Sequence, residues 1–308
     1  MHFDKKHSDN KYSENQRPCA GQLEADQSVT GATIDQRING VDTSDGAGVR
    51  LKRILGTHQL RHLDPFLLLD EFKSDQPDDY IGGFPDHPHR GFETVTYLLE
   101  GAMEHGDHLG NKGIMEPGSV QWMTAGRGVI HSEMPRQRNG LLWGFQLWIN
   151  LPAKEKLCEP QYQEYSADQI PEVCDNNGVV RRVIAGHSLG VDGAVAGIGT
   201  DPLYVDIRLP ANTRFEHPLS ADSSTMIYLY QGGATIGDAA QSLNAGQLAV
   251  LSHASSVSID SGSEGARLLL LAARPIKEPI VQYGPFVMNS EAEIQQALND
   301  YQQGRLVG

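Results

Sequence analysis

The sequence predicts an all-β protein of two barrels in tandem, and three observations carry that expectation. The 308 residues include 33 glycines and 16 prolines at short intervals, a rhythm that suits strands and turns and leaves little room for helices. Short β-type runs recur in two series on either side of a mixed segment. A weak internal repeat links the two series. Thr96-Tyr97-Leu98-Leu99-Glu100-Gly101 is echoed by Ile227-Tyr228-Leu229-Tyr230-Gln231-Gly232, and Pro117-Gly118-Ser119-Val120 by Ala245-Gly246-Gln247-Leu248. Duplicated β domains closed into barrels or jelly rolls dispose of exposed strand edges. The length also favours two compact domains over one.

Residues 1–28 are polar, mixed in charge and without periodicity, so a mobile tail is expected, with His2, His7 and Cys19 solvated in it. Residues 29–152 are expected to form the first barrel, from runs at 48–55, 65–69, 94–99, 119–124 and 141–151. Residues 153–200 carry Pro160, Pro171 and an Asp-Asn-Asn-Gly turn at 175–178, and read as a crossover between domains. Residues 201–308 are expected to form the second barrel, from runs at 203–209, 225–230, 247–251, 256–260 and 267–272. One helix closes the chain. Ser290 is its N-cap, Glu293 completes a capping box, Ile294, Ala297, Leu298 and Tyr301 recur at helical spacing, and Gly304 stops it.

With 39 acidic and 25 basic residues the formal net charge is −14, which disfavours direct contact with nucleic acid or an anionic membrane. Cys19, Cys158 and Cys174 are too few and too scattered for a disulfide framework. No signal-peptide pattern and no run of membrane-spanning length is present, so the cytoplasm is the expected location.

The chemistry concentrates in two stretches. In Phe84-Pro-Asp-His-Pro-His-Arg-Gly-Phe-Glu-Thr-Val, His87 and His89 are two residues apart, so both imidazoles point to one face of a strand. Gly126-Arg-Gly-Val-Ile-His-Ser-Glu-Met repeats that spacing with His131 and Glu133. Two strands of one barrel, each offering two ligands inward, give a site of three histidines and one carboxylate. Such donors suit one divalent iron, manganese, nickel, copper or zinc ion, and the lack of a thiolate argues against structural zinc. Around them, Asp70, Glu71, Arg90 and Glu93 are candidates to orient the ligands, with Asp70 foremost and Glu93 able to pair with Arg90. Phe84, Phe92, Trp122, Met123, Trp143 and Trp148 are candidates for an aromatic pocket, Phe84 first because it adjoins the ligands.

His87-x-His89 with Gly101, followed by Pro117-Gly118 and Gly128-x-x-His131, resembles the two cupin motifs in order. The position that usually holds the cupin carboxylate falls at Thr94 or Glu93, and Glu133 replaces it. That substitution resembles the pirin family. So do Leu63-Asp-Pro-Phe-Leu-Leu-Leu-Asp-Glu-Phe72, Gln121-Trp-Met-Thr-Ala-Gly-Arg-Gly-Val-Ile-His131, Leu147-Trp-Ile-Asn-Leu-Pro152 and Tyr283-Gly-Pro-Phe-Val-Met-Asn289. The resemblance covers about residues 45–305. It implies two cupin jelly-roll barrels, with iron, as Fe(II), in the first and no metal in the second. The second repeat agrees, because Pro218 and Ser220 stand where His87 and His89 stand in the first, and His217 and His253 read as structural. The resemblance further implies flavonol (quercetin) 2,3-dioxygenase chemistry, with dioxygen as co-substrate, a depside and carbon monoxide as products, and Glu133 as proton acceptor. Its alternative is a metal- or redox-dependent binding protein acting on a regulatory protein or a metabolic enzyme.

Overall fold

The computed structural model describes residues 31–307; the expected tail at 1–28, with His2, His7 and Cys19, lies outside the described residues. The first barrel consists of a seven-stranded and a four-stranded antiparallel sheet. Spatially, the larger runs Gln161–Tyr165, Val120–Thr124, Phe92–Glu100, Leu142–Asn150, Phe66–Ser74, Val49–Leu55, Val41–Asp45. The smaller runs Phe84–His89, Val129–Pro135, Met103–Asp107, Lys112–Met115. Val49, Leu51, Phe72, Leu98, Met103 and Met115, drawn from both sheets, form a core between them.

The second barrel repeats this order in a nine-stranded sheet. Its path is Ile34–Asn39, Gln247–Leu251, Ser224–Ile236, Ser256–Ala273, Leu203–Leu209, Val180–Ala185, Glu172–Cys174, with Arg214–Pro218 and Gln241–Asn244 paired to its long strands. The repeat seen in the sequence is thus a repeat of topology. Phe92–Glu100 and Ser224–Ile236 occupy corresponding places, each beside a strand introduced by Pro117-Gly118 or Ala245-Gly246. The runs expected at 256–260 and 267–272 are one continuous strand, in which Ser261 and Ala266 pair with Ala234 and Gly232 on either side of an irregularity in register.

The inner strands of the first large sheet are buried on both faces, and polar residues such as Asp70, Glu71, Glu93, Thr96 and Gln121 are buried there among the apolar ones. One face lines the first barrel and the other meets the second. Val95, Tyr97, Trp122, Phe145 and Leu147 pack there with Tyr204, Tyr228, Leu269 and Leu271. Buried carboxylates pin this interface. Asp206 accepts hydrogen bonds from Tyr97 (2.8 Å) and Tyr230 (2.5 Å), and Glu71 accepts them from Trp143 (2.7 Å) and Tyr228.

The chain divides differently from the expected linear order. Ile34–Asn39, expected in the first barrel, pairs with Gln247–Leu251 of the second. Gln161–Tyr165, expected in the crossover, is the corresponding edge strand of the first barrel, and Val180–Ala185 belongs to the second sheet. An edge strand with one buried face carries no mark of which sheet it completes, and the corresponding edges of the two barrels were free to take either.

The last segment also returns to the first barrel. The helix Glu291–Gln302 is capped by Ser290, whose Oγ accepts from Glu293 N, while Glu293 Oε2 accepts from Asn289 N. Gly304, at φ +68°, ends it. Ile294 and Ala297 bury against Phe286, Met288 and Leu306, with Ile130 of the first barrel against the same cluster. Arg90 pairs with Asp300 at 2.8 Å and its Nε donates to the Arg127 carbonyl. Buried Lys156 donates to the carbonyls of Gly91 (2.8 Å) and Val287 (2.9 Å) and to Asn150 Oδ1 (2.7 Å), joining the hairpin of Val281–Tyr283 and Phe286–Met288 to the barrel. No described helix is long and apolar enough to cross a membrane.

Candidate metal centre

Phe84–His89 lies at the edge of the four-stranded sheet, which is why it tolerates Pro85 and Pro88: an edge strand has one side on which no N–H is needed. Pairing with Val129–Pro135 sets His87 opposite His131 and His89 opposite Val129. The three imidazoles converge, with ring centroids 4.4 Å (His87–His131), 4.7 Å (His87–His89) and 4.9 Å (His89–His131) apart. Their donor atoms lie within 4.8 Å of one another, the one such group of three or more found among the described residues.

The fit to a metal rests on nitrogen atoms without partners. His89 and His131 are almost fully buried, and the Nε2 of each has no hydrogen-bond partner. A buried polar atom left so is costly unless something binds it. Burial, and then the neighbouring imidazoles, hold both rings well below the usual histidine range, so they are neutral and carry a free lone pair. His87 Nδ1 donates to the Pro85 carbonyl at 2.8 Å, which fixes the tautomer whose Nε2 is the free ligand atom.

Glu133 stands outside this close group. It is buried two residues beyond His131, past a register shift in the pairing with Phe84–His89. Its Oε1 accepts from Thr96 Oγ1 at 2.7 Å and its Oε2 from Gln146 Nε2 at 2.9 Å; Gln146 Oε1 in turn accepts from Trp148 Nε1 at 3.2 Å. A cavity of about 520 Å³ opens in front of the cluster, walled by His87, His89, Gln146, Phe84 and Trp148 among others, and closed in part by Gln282, Gly284 and Pro285 of the terminal hairpin.

The expected supporting residues turn out differently. Asp70 orients no ligand; it holds Arg53 through two bonds (3.0 and 2.8 Å), and burial raises its carboxyl to about 6. Arg90 pairs with Asp300 and not with Glu93, whose Oε1 accepts from Thr124 Oγ1 at 2.8 Å. Of the six aromatic-pocket candidates, Phe84 and Trp148 reach the cavity, while Phe92, Trp122, Met123 and Trp143 are buried in cores. Thr96 and Gln146, the residues that hold Glu133, were missed: isolated polar residues inside strands give no motif. In the second barrel, His217 bonds Ser188 Oγ and the Pro218 carbonyl, and His253 bonds the Ala221 carbonyl, as structural residues would.

Comparison with known proteins agrees with this architecture. Residues 48–149 match the family described as Pirin, and residues 204–307 match the Pirin C-terminal cupin domain. A pirin-like protein of Caulobacter vibrioides is 48% identical over 269 residues, 87% of this chain and 96% of the relative. Human pirin is 44% identical over 268 residues, 86% of this chain and 90% of the relative. The crystal structure of a quercetin 2,3-dioxygenase from Acinetobacter baumannii superposes with a TM-score of 0.83 at 32% identity, covering 90% of this chain and 99% of that one. Two matched cupin domains, spanning most of the chain and carrying the histidine cluster in the first, place this protein in the pirin family.

Proposed function

We propose that the protein is a metal-dependent oxygenase that cleaves a flavonol-like substrate with dioxygen, using one divalent metal, Fe(II) foremost, held by His87, His89, His131 and Glu133. One observation carries the reading: partnerless, neutral imidazole nitrogens converge beside a cavity of about 520 Å³ that has aromatic walls. The likeness to the Acinetobacter quercetin 2,3-dioxygenase supports the substrate class. When bound, the metal supplies Lewis-acid polarisation of the substrate hydroxyl and a redox partner for dioxygen. The chain supplies the rest. Phe84 and Trp148 flank a planar ring, and the terminal hairpin shields the cavity from water. Glu133 is held by Thr96 and Gln146; release of the Gln146 bond would free Oε2 first to join the ligands of the metal and then, swinging away as substrate binds, to take the substrate hydroxyl proton, while Thr96 keeps Oε1 in place.

Glu133→Gln tests the proton-acceptor role. It keeps shape and removes basicity, so oxygen consumption per bound metal should fall by about 10²–10⁴-fold. Near wild-type turnover per metal would refute the role. If protein loaded in turn with iron, manganese, nickel and copper consumes no oxygen with any flavonol, the oxygenase reading falls and a metal-dependent binding protein replaces it.

A further inference from the structure

A second cavity, about 760 Å³, adjoins the metal-facing one, and the two share Arg53, Leu68, Gln282 and Gly284 as walls. Leu67, Leu68, Ile280 and Val281 make part of it apolar, whereas its remaining side chains include His58, Arg61 and His62. No carboxylate lines it, in a chain whose acidic residues outnumber its basic ones by 39 to 25. Arg53 is already committed: Asp70 takes two of its bonds and Asp45 another at 2.9 Å. Arg61, His58 and His62 are exposed, and their side chains make no hydrogen bond or ion pair with any described residue.

The backbone that carries these three is well tied. The N–H groups of Gly56 and Thr57 both donate to the Leu60 carbonyl (3.0 and 3.1 Å), Gln59 N donates to Thr57 Oγ1 (3.2 Å), and Leu63 and Phe66 exchange backbone bonds of 2.8 and 2.6 Å. A fixed loop thus presents an unpaired guanidinium and two imidazoles over an apolar floor, open to the cavity that reaches His87 and His89. A guanidinium fork matches carboxylate, sulfate and phosphate groups through paired N–H donors.

We propose that this second cavity binds the anionic group of the substrate, Arg61 being its principal contact, so that the substrate is an aromatic hydroxy compound bearing a carboxylate, sulfate or phosphate. This rests on the oxygenase reading above for the identity of the other end of the molecule, and on the second cavity alone for the anion. Binding of quercetin and of its sulfate and glucuronide conjugates to metal-loaded protein would be measured by calorimetry, without turnover. At least one conjugate should bind about tenfold more tightly than quercetin, the gain should shrink between 50 and 500 mM NaCl (buffer conditions of about one and a half and half a nanometre of screening), and Arg61→Ala should abolish it. Arg61→Lys should keep part of the gain. In a second arm, naphthalene-2-carboxylate is titrated into metal-free protein and into Arg61→Glu, which tests the anion site independently of the metal. Binding of naphthoate that depends on Arg61, with no binding of quercetin in any form, would leave the anion site standing and bring down the oxygenase reading. Equal affinities for quercetin and all its conjugates, a gain that survives Arg61→Ala, or naphthoate binding indifferent to Arg61→Glu would overturn the proposal.

Discussion

Replacing Glu93 by Gln should stabilise the protein at pH 8 and do little at pH 5. Glu93 lies in the wall shared with the second barrel, between Thr124 and Ile149 in neighbouring strands, and burial raises its carboxyl from 4.5 to about 7 in spite of the bond from Thr124. The folded state therefore holds a proton on Glu93 that the unfolded chain has lost above pH 4.5. Because the folded state binds more protons, stability falls as pH rises from about 4.5 to 7. With those two values the linkage cost is about 1 kcal/mol at pH 5 and about 3 kcal/mol at pH 8. Gln has no proton to lose, and its oxygen still accepts from Thr124. Wild type and variant should thus diverge by about 2–3 kcal/mol between pH 5 and pH 8, or about 5–10 °C in melting temperature. Thermal melts of metal-free protein across that range measure the difference directly, and the other titrating groups cancel in the comparison. Parallel stability profiles for the two proteins would refute the argument.

The His87→Ala, His89→Ala double variant should lose nearly all of a single metal per chain in elemental analysis; two tightly held metals per wild-type chain would contradict a single centre in the first barrel. Ile38→Ala removes a buried side chain from the strand that completes the second sheet and packs in the core between barrels, and should cost about 2–5 kcal/mol in denaturant unfolding. Gly91→Ala and Gly110→Ala form a matched pair, since both glycines have φ near +89°. A Cβ at Gly110 meets nothing within 4 Å and should cost about 1–2 kcal/mol, the backbone penalty alone, whereas one at Gly91 would lie 2.1 Å from the Val287 carbonyl oxygen and should cost clearly more, with the terminal hairpin becoming sensitive to protease.

The sequence made His87 and His89 legible because strand geometry turns a two-residue spacing into a shared direction, and His131 because the same spacing recurs in a second stretch. The helix was legible for a similar local reason, its cap and stripe lying within about four turns. What escaped was everything decided by partners distant in sequence. Ile34–Asn39 has only two apolar residues, four apart, and nothing in Ile-Asp-Gln-Arg-Ile-Asn says that it is a strand whose partner lies more than 200 residues away. Asp70 and Glu93 sit within the motif-bearing stretches, yet their partners, Arg53 and Thr124, come from other strands, so the motif around Asp70 and the nearness of Glu93 to Arg90 each suggested the wrong partner. The buried carboxylates Asp206 and Glu71 became intelligible only once tyrosines of both barrels were seen to meet them.

The crossing of the two ends has a consequence for how the molecule comes into being. The second barrel lacks an edge without residues 34–39, and the metal-facing cavity lacks Gln282, Gly284 and Pro285 until the far end of the chain has been made. During synthesis the three histidines therefore emerge from the ribosome long before their enclosure does. All the strands of the first barrel, from Val41–Asp45 to Gln161–Tyr165, are made while the hairpin that walls the cavity still lies more than 100 residues ahead. The same dependence means that a cut between the two domains would leave the second sheet without Ile34–Asn39 and the cavity without Gln282, Gly284 and Pro285, so neither half of the chain carries everything its own barrel uses.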